Sequence, residues 1–551
     1  MNSNETNDRG AWATLTHDSL NTSHTHHLPL SSIQFVFLNM GLLLGNILVL
    51  FNTGAFASVS LHATGDLGVS PSHAGWMQSY YFIFLALALP VSTWLANRIG
   101  EVKLYIISML VMSLASLLLA TTDNLTIFLF GRMLQGFFGG LTIPLSQTLL
   151  LREYPASSKS FAVSLWSMAA LSPFTLGPAV GGWLADTFDW RWLFYINVPF
   201  PLFTAAIAWA LLLERDETAP NKTPFDVIGF GLLVMSLVCL QTVLSQGQDS
   251  DWFNSPSLII LTLLGILIMA YFIVWELSVR SPLLDLRLFA RRNFALGSMI
   301  LCLSFMMMYG LLSILLVRLQ VVAGYTSFMA GSVLLPLIFL SKPMASILHR
   351  IMSHFDARLI TSINMLLFAL YCASSSQFDF FGRNSWFAEP LWTQVLEGFC
   401  LGGLFVPLTT LFLTGLTPRR QTQAVELGGM MRVLGGSIAS PLFGLIWERR
   451  SAFHQSRLIE NFPTSSAFAQ DTLAHLQQAG ITGQLANAKL AGIAGQHASI
   501  LGLNDTFQLT AWLFLGLSVL VWLANPVKPN FKVSAKNKMQ PVEIKTLVEK
   551  A

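Results

Sequence analysis

The sequence specifies an all-α polytopic membrane protein: two six-helix bundles with two further helices between them, fourteen transmembrane helices in all. Three observations predict it. The first is composition, since 53% of the 551 residues are apolar, only 11% are charged and the mean hydropathy is +0.59, whereas a soluble chain carries about a quarter charged residues. The second is that the apolar residues gather into fourteen runs, each long enough for the ~20 residues that a spanning helix needs. The third is an internal repeat: Pro144, Pro155 and Pro178 recur as Pro407, Pro418 and Pro441, each 263 residues on, and Gly139, Gly140 and Gly181 recur as Gly402, Gly403 and Gly444 at the same offset.

In chain order the runs are 33–58, 75–97, 104–121, 125–150, 160–184, 193–213, 226–246, 257–279, 294–320, 327–348, 358–375, 388–414, 424–447 and 506–524. Backbone groups in lipid must satisfy their own hydrogen bonds, and runs this long do so as helices rather than as barrel strands. The repeat matches spans 4 and 5 to spans 12 and 13. The chain therefore divides into a tail over 1–32, a six-helix bundle over 33–213, a two-helix insertion with its loops over 214–293, a second bundle over 294–524 and a tail over 525–551. The second bundle includes a long outer loop over 448–505. Two bundles related by an axis along the membrane normal, with a substrate site at their interface, describe a rocking transporter.

Basic residues set the expected orientation. Arg98, Lys103, Arg152, Lys159, Arg215, Arg280, Arg287, Arg291, Arg292, Arg350 and Arg358 fall in one set of loops, and Lys528, Lys532, Lys536 and Lys538 in the tail. By the positive-inside rule both termini are cytoplasmic in an inner or plasma membrane. The head lacks the basic region, apolar core and cleavage site of a signal peptide. Its histidines, His24, His26 and His27, read as part of a polar tail rather than a metal site, and the four cysteines lie in separate spans without paired spacing. No metal, cofactor or nucleic-acid partner is indicated.

Small residues four apart at Gly41 and Gly45, Gly136 and Gly140, Gly177 and Gly181, and Gly398 and Gly402 share a helix face and permit close helix approach. The Gly177-Pro178 pair adds a bend, because proline removes a backbone donor and glycine a side chain.

The run LGPAVGGWL in span 5 resembles the antiporter motif of the major facilitator superfamily, GRMLQGFFGG in span 4 its arginine motif, and WLANRIGEVKL its loop motif. With WRWLFYINVP, IVWEL, DLRLFARRNF, VPLTTLFLTGL and RVLGGSI, the chain from about residue 75 to 525 resembles the EmrB-type exporters of the fourteen-span drug:proton antiporter family. The resemblance implies the major facilitator fold and efflux driven by a proton gradient. Arg132 matches the arginine of proton coupling; Gly177, Pro178, Gly181 and Gly182 match the antiporter motif; Arg98, Gly100 and Lys103 match the loop that latches the bundles; and Arg432 matches a recurrent span 13 arginine. It further implies a small-molecule substrate, contact with membrane lipid, a periplasmic adaptor and an outer-membrane channel, for which the 448–505 loop is one docking surface and plain solvated helix the alternative.

Departures from the family pattern carry information too. Thr93 stands where the loop motif has its first glycine, and Asn97 where it has an acid. Asn52 replaces the usual span 1 aspartate, and an amide carries no proton near neutral pH. Glu397, deep in span 12 at the repeat-equivalent of Gln135 allowing a one-residue slip, is the leading proton carrier, since intramembrane acids are costly and usually functional. Lys342 lies ~12 Å inside Arg350 at 1.5 Å per residue. It either snorkels or pairs with Glu397 or Glu426, or it contacts an anion in an interior that Arg132, Lys342 and Arg432 make net basic.

The helices that face a central cavity in the superfamily contribute Asn46, Asn52, Gln135, Phe137, Met306, Met307, Met308, Tyr309, Gln394, Glu397 and Phe399. Thioethers repack around varied ligands, although helix packing is the ordinary role of any one of them. No G-x-x-x-x-G-K, H-E-x-x-H or G-x-S-x-G run is present, so neither ATP chemistry nor hydrolysis is indicated. Three functions stay open: proton-coupled efflux of amphipathic drugs, dedicated export of an anionic metabolite such as a carboxylate siderophore, and, remotely, a membrane sensor or enzyme.

Overall fold

A computed structural model describes residues 30–70, 73–155, 158–215, 224–352, 354–377, 388–461 and 467–526. The histidines of the head and the lysines of the tail lie outside them. The helices are α1 (Ser32–Asp66), α2 (His73–Ile99), α3 (Glu101–Thr121), α4 (Leu125–Glu153), α5 (Lys159–Thr187), α6 (Trp192–Tyr195), α7 (Pro199–Leu212), α8 (Val227–Gln246), α9 (Pro256–Ser278), α10 (Arg292–Val321), α11 (Ser327–Ser332), α12 (Pro336–Ile351), α13 (Ala357–Ser375), α14 (Ala388–Leu413), α15 (Pro418–Asn461), α16 (Ala467–Gln478) and α17 (Gly483–Leu520). Among the described residues thirteen spans are long and apolar enough to cross a bilayer, and the remaining expected span, 160–184, falls within the 29 residues of α5.

Local sequence sets the helix ends. Ser31 and Gln34 form a capping box at α1, while Asn124, Asp226 and Asp356 accept backbone N–H groups at the starts of α4, α8 and α13. Gly100 holds φ at 105° in the tight turn between α2 and α3, a conformation a side chain would strain. Spans 6 and 10 are each broken in two, at Pro199 and at Pro336, because proline supplies no N–H and restricts the residue before it.

Helices α1 to α7 pack as one bundle and α10 to α15 with α17 as the second. Within a bundle the small residues do what their spacing suggested. A Cβ on Gly136 would strike the Tyr81 backbone, and one on Gly402 the backbone of Ser341. The bundles meet along two seams, α2 against α15 and α5 against α11, and the inserted pair α8 and α9 lies outside them. We call the side where α1 begins the terminal face and the opposite side the far face.

The stretch 448–505 differs from a simple loop. Helix α15 has 44 residues, about 66 Å of helix, twice the ~30 Å of a hydrocarbon core. It continues past the far face, and α17 returns beside it with α16 between them. Asp505 accepts from Arg450 Nε at 2.7 Å and meets His454 Nε2 at 2.7 Å, and Trp447 donates to the Ser499 carbonyl at 2.9 Å.

Candidate transport site

Arg132 is fully buried, with 0% of its surface exposed, inside the first bundle. A guanidinium there must fill its donors, and it does: Nη1 donates to Gln135 Oε1 at 2.8 Å, Nη2 to Gln78 Oε1 at 2.8 Å and Nε to the Met77 carbonyl at 3.3 Å. Its plane lies between the rings of Phe56 and Tyr81, 4.3 and 4.4 Å from their centroids. Gln135 passes the network on to Ser116 of α3 at 3.1 Å. No carboxylate belongs to this hub among the described residues, so its positive charge is held by neutral dipoles and ring faces alone.

The second bundle has a counterpart of opposite sign. Gln394 and Glu397 sit one residue short of the repeat positions of Arg132 and Gln135, and both are buried, at 1% and 2% exposed. Glu397 lies within reach of Tyr371 and Gln394, with Cys372 and Cys400 close by. Gln394 Nε2 donates to Tyr371 Oη at 3.5 Å, and its Oε1 has no partner among the described residues. Tyr371 on α13 therefore takes the place that Ser116 holds on α3.

The first hub reaches across the seam. Gln78 Nε2 and Tyr309 Oη both donate to the Thr53 carbonyl, at 3.2 Å each, and Tyr309 stands edge-on to Phe82 with centroids 4.8 Å apart. Tyr309 belongs to the second bundle, so Arg132, Gln78, Thr53 and Tyr309 form one chain of contacts from bundle to bundle. Beside it on the far-face half lies a cavity of about 110 Å³ lined by Gln78, Tyr309, Ser313, Ser440, Trp252 and Trp447, among others.

The antiporter motif divides between two partners. Gly177 and Gly181 face Ala55 of α1 inside their own bundle, whereas Pro178 and Gly182 face Gly331 and Ser327 of α11 across the seam. The far-face half of that seam is sealed further, since Asp186 accepts from the Ser327 and Phe328 amides at 3.2 and 2.8 Å, and beside it Gln320 of α10 donates to the Ser58 carbonyl of α1 at 3.1 Å. Toward the terminal face, Thr93 donates to Glu426 Oε1 at 2.6 Å between α2 and α15. The threonine that departs from the loop motif thus makes its own inter-bundle bond, while Arg98 and Lys103 are exposed.

The other expected residues scatter. Asn52 is buried inside the first bundle, donating to the Leu48 carbonyl and accepting from Asn197 at 2.8 Å each, away from the cavity wall. Asn46 is fully buried, with neither amide atom partnered among the described residues. Met307 packs in the core at 1% exposed, and Phe399 points outward at 37%. Arg432 is half-buried on α15, its guanidinium 5.2 Å from the Phe305 centroid and 5.4 Å from that of Phe405. Lys342 stands on α12, and its side chain lies outside the described residues.

Sequence reading missed Gln78, Tyr371, Asn197 and Asp186. The first and third left a signal, since an amide inside an apolar span needs a partner.

Comparison with known proteins decides the family. The Major Facilitator Superfamily model matches residues 42–440. The chain belongs to the Major Facilitator Superfamily. It is 34% identical over 499 residues to the multidrug export protein EmrB of Escherichia coli (strain K12), and 34% identical over 501 residues to the fatty acid resistance protein FarB of Neisseria gonorrhoeae. Each alignment covers 90% of this chain and 97% of the relative. Among solved structures, a bacterial homolog of the human lysosomal transporter Spinster, inward-facing and unoccupied, superposes with a TM-score of 0.56 at 14% identity, covering 90% of this chain and 97% of that one. The peptide transporter POT does so at 0.55 and 14%, covering 88% and 95%. The superfamily member described here is a multi-pass inner-membrane transporter, not an enzyme.

Proposed function

We propose that this transporter is a proton-coupled exporter of amphipathic small molecules that works by alternating access, with both termini cytoplasmic. The terminal face is then the cytoplasmic side, where the loop arginines and lysines gather. One observation carries the reading: the repeat-related hubs, a buried cation at Arg132 in one bundle and a buried acid at Glu397 in the other. Arg132 keeps its charge; Glu397, the buried acid at the repeat-related position, is the group we assign to taking up and releasing the proton, while Asn52 is tied into structure.

An anionic substrate is the second reading. Arg432 favours it, because a half-buried guanidinium between two phenylalanines has no carboxylate partner among the described residues and so presents charge and apolar surface together. The FarB relative concerns fatty acids by name, the chemistry such a site suits, and Lys342 would supply a further cation. The far-face hairpin is the surface we assign to an adaptor.

Inside-out vesicles with an acid interior test both readings. Ethidium and palmitate serve as cationic and anionic probes for wild type, Glu397→Gln, Arg432→Ala and Lys342→Ala. Gradient-driven uptake that Glu397→Gln uncouples supports the first reading. Palmitate uptake lost on Arg432→Ala supports the second. Uptake that ignores the gradient in wild type would sink proton coupling.

A further inference from the structure

The inserted pair α8 and α9 has no counterpart in the repeat, yet α8 is not a plain lipid-facing helix. Gln241, Thr242, Ser245 and Gln248 place polar groups one, four and seven residues apart along one face, and polar groups in a span turn toward protein. Here that face lies over the α2–α15 seam. Toward α2, Trp76 Nε1 donates to the Ser245 carbonyl at 2.7 Å, and Tyr80 Oη and Thr242 Oγ1 share a hydrogen bond of 2.7 Å. Toward α15, Gln241 Nε2 donates to the Ser437 carbonyl at 3.3 Å, a carbonyl that also accepts from Ser79 of α2 at 2.7 Å. Ser245 near the end of α8 then walls the far-face cavity, with Gln248 and Trp252 of the following turns beside it.

We propose that α8 is a strap that rides with the first bundle and releases the second: Gln241 is a positioning residue whose bond to Ser437 breaks each time the far face opens. The inference rests on the alternating-access reading above. Bond geometry fixes which side lets go. The two bonds to α2 are short, whereas among the described residues the one bond to α15 is near the long limit, its acceptor is shared with Ser79 and Gln241 Nε2 also donates to Ser245 Oγ at 3.3 Å, so the α15 contact is the weaker. Opening the far face parts α2 from α15, and α8 cannot follow both.

Pulsed electron-resonance distances test this in the full-length protein in lipid nanodiscs, on a background with the four unpaired cysteines replaced. Spin labels go at Gln248 with His73 (α8 to α2) and at Gln248 with Glu448 (α8 to α15), and at Gly65 with Phe328 as a direct inter-bundle pair. Acidic and alkaline pH are both sampled. We expect one narrow distance for the α2 pair and two populations for the α15 pair, moving in step with the inter-bundle pair. Gln241→Leu should raise the longer α15 population about five-fold, the equivalent of one neutral hydrogen bond, and Thr242→Val should leave it unchanged. A split α2 distance, or no effect of Gln241→Leu, overturns the strap. If Gly65–Phe328 splits while Gln248–Glu448 does not, the strap alone fails; if Gly65–Phe328 shows one distance throughout, alternating access fails and the strap falls with it.

Discussion

At the scale of single residues, the chemistry of Arg132 explains why an arginine stands there. Three donors in a planar fork meet three fixed acceptors while both faces meet rings, and a lysine can fill neither the fork nor the stack. Arg132→Lys should therefore fold, keep its charge and transport at least ten-fold more slowly, as vesicle uptake would show; unchanged uptake would reduce the residue to a charge. Asn197 is the mirror case. It donates to both Asn52 Oδ1 and the Leu193 carbonyl, so Asn197→Leu leaves Asn52 with a buried, unfilled acceptor. The expected cost is ~1–3 kcal/mol, visible as a lower melting temperature, with the pH dependence of transport unaltered.

Elements decide what the motifs do. The run Gly177 to Gly182 contains two interleaved small pairs on different faces, and one of them lies on a seam between the bundles. Gly181→Ala pushes a methyl against Ala55 within its own bundle and should lower thermal stability by ~1–3 kcal/mol, the usual cost of overpacking. Gly182→Ala meets the Ser327 backbone across the seam instead. It should pry the far face open, raising the rate at which a membrane-impermeant maleimide labels Ser327→Cys, which is 1% exposed in the sealed state. Equal labelling in both variants would mean that the two faces are not separate. Near the terminal face, Thr93→Val removes the donor to Glu426 and should destabilise that closure by about 1 kcal/mol, shifting the inter-bundle distance distribution.

At the scale of the whole molecule, the far-face hairpin extends the spans of α15 and α17 beyond the bilayer and is clamped by Arg450, His454 and Asp505. Excising residues 456–496 behind that clamp should leave vesicle uptake intact. If the hairpin receives an adaptor, resistance of whole cells should fall nonetheless; whole-cell resistance equal to wild type would show the hairpin to be dispensable. The helix-forming parts of the 448–505 loop are helices in its described residues because Ala, Gln, Leu and Glu favour helix whether or not lipid surrounds them, and hydropathy reports only where the membrane ends.

The sequence by itself determined the membrane class and the span positions, and it singled out the duplicated halves and the residues Arg132 and Glu397. All of these depend on hydrophobicity, on spacing or on a charge where lipid forbids one, and each is a local property of the chain. Tertiary structure alone decided the partners: Gln78 under Arg132, Tyr371 beside Glu397, Asn197 on Asn52, and α8 across the seam. Such pairs join residues tens to hundreds of positions apart, and no periodicity encodes which distant amide will meet which carbonyl. Asn52 shows the difference most clearly, because in sequence it is a missing acid and in three dimensions it is a filled hydrogen-bond pair.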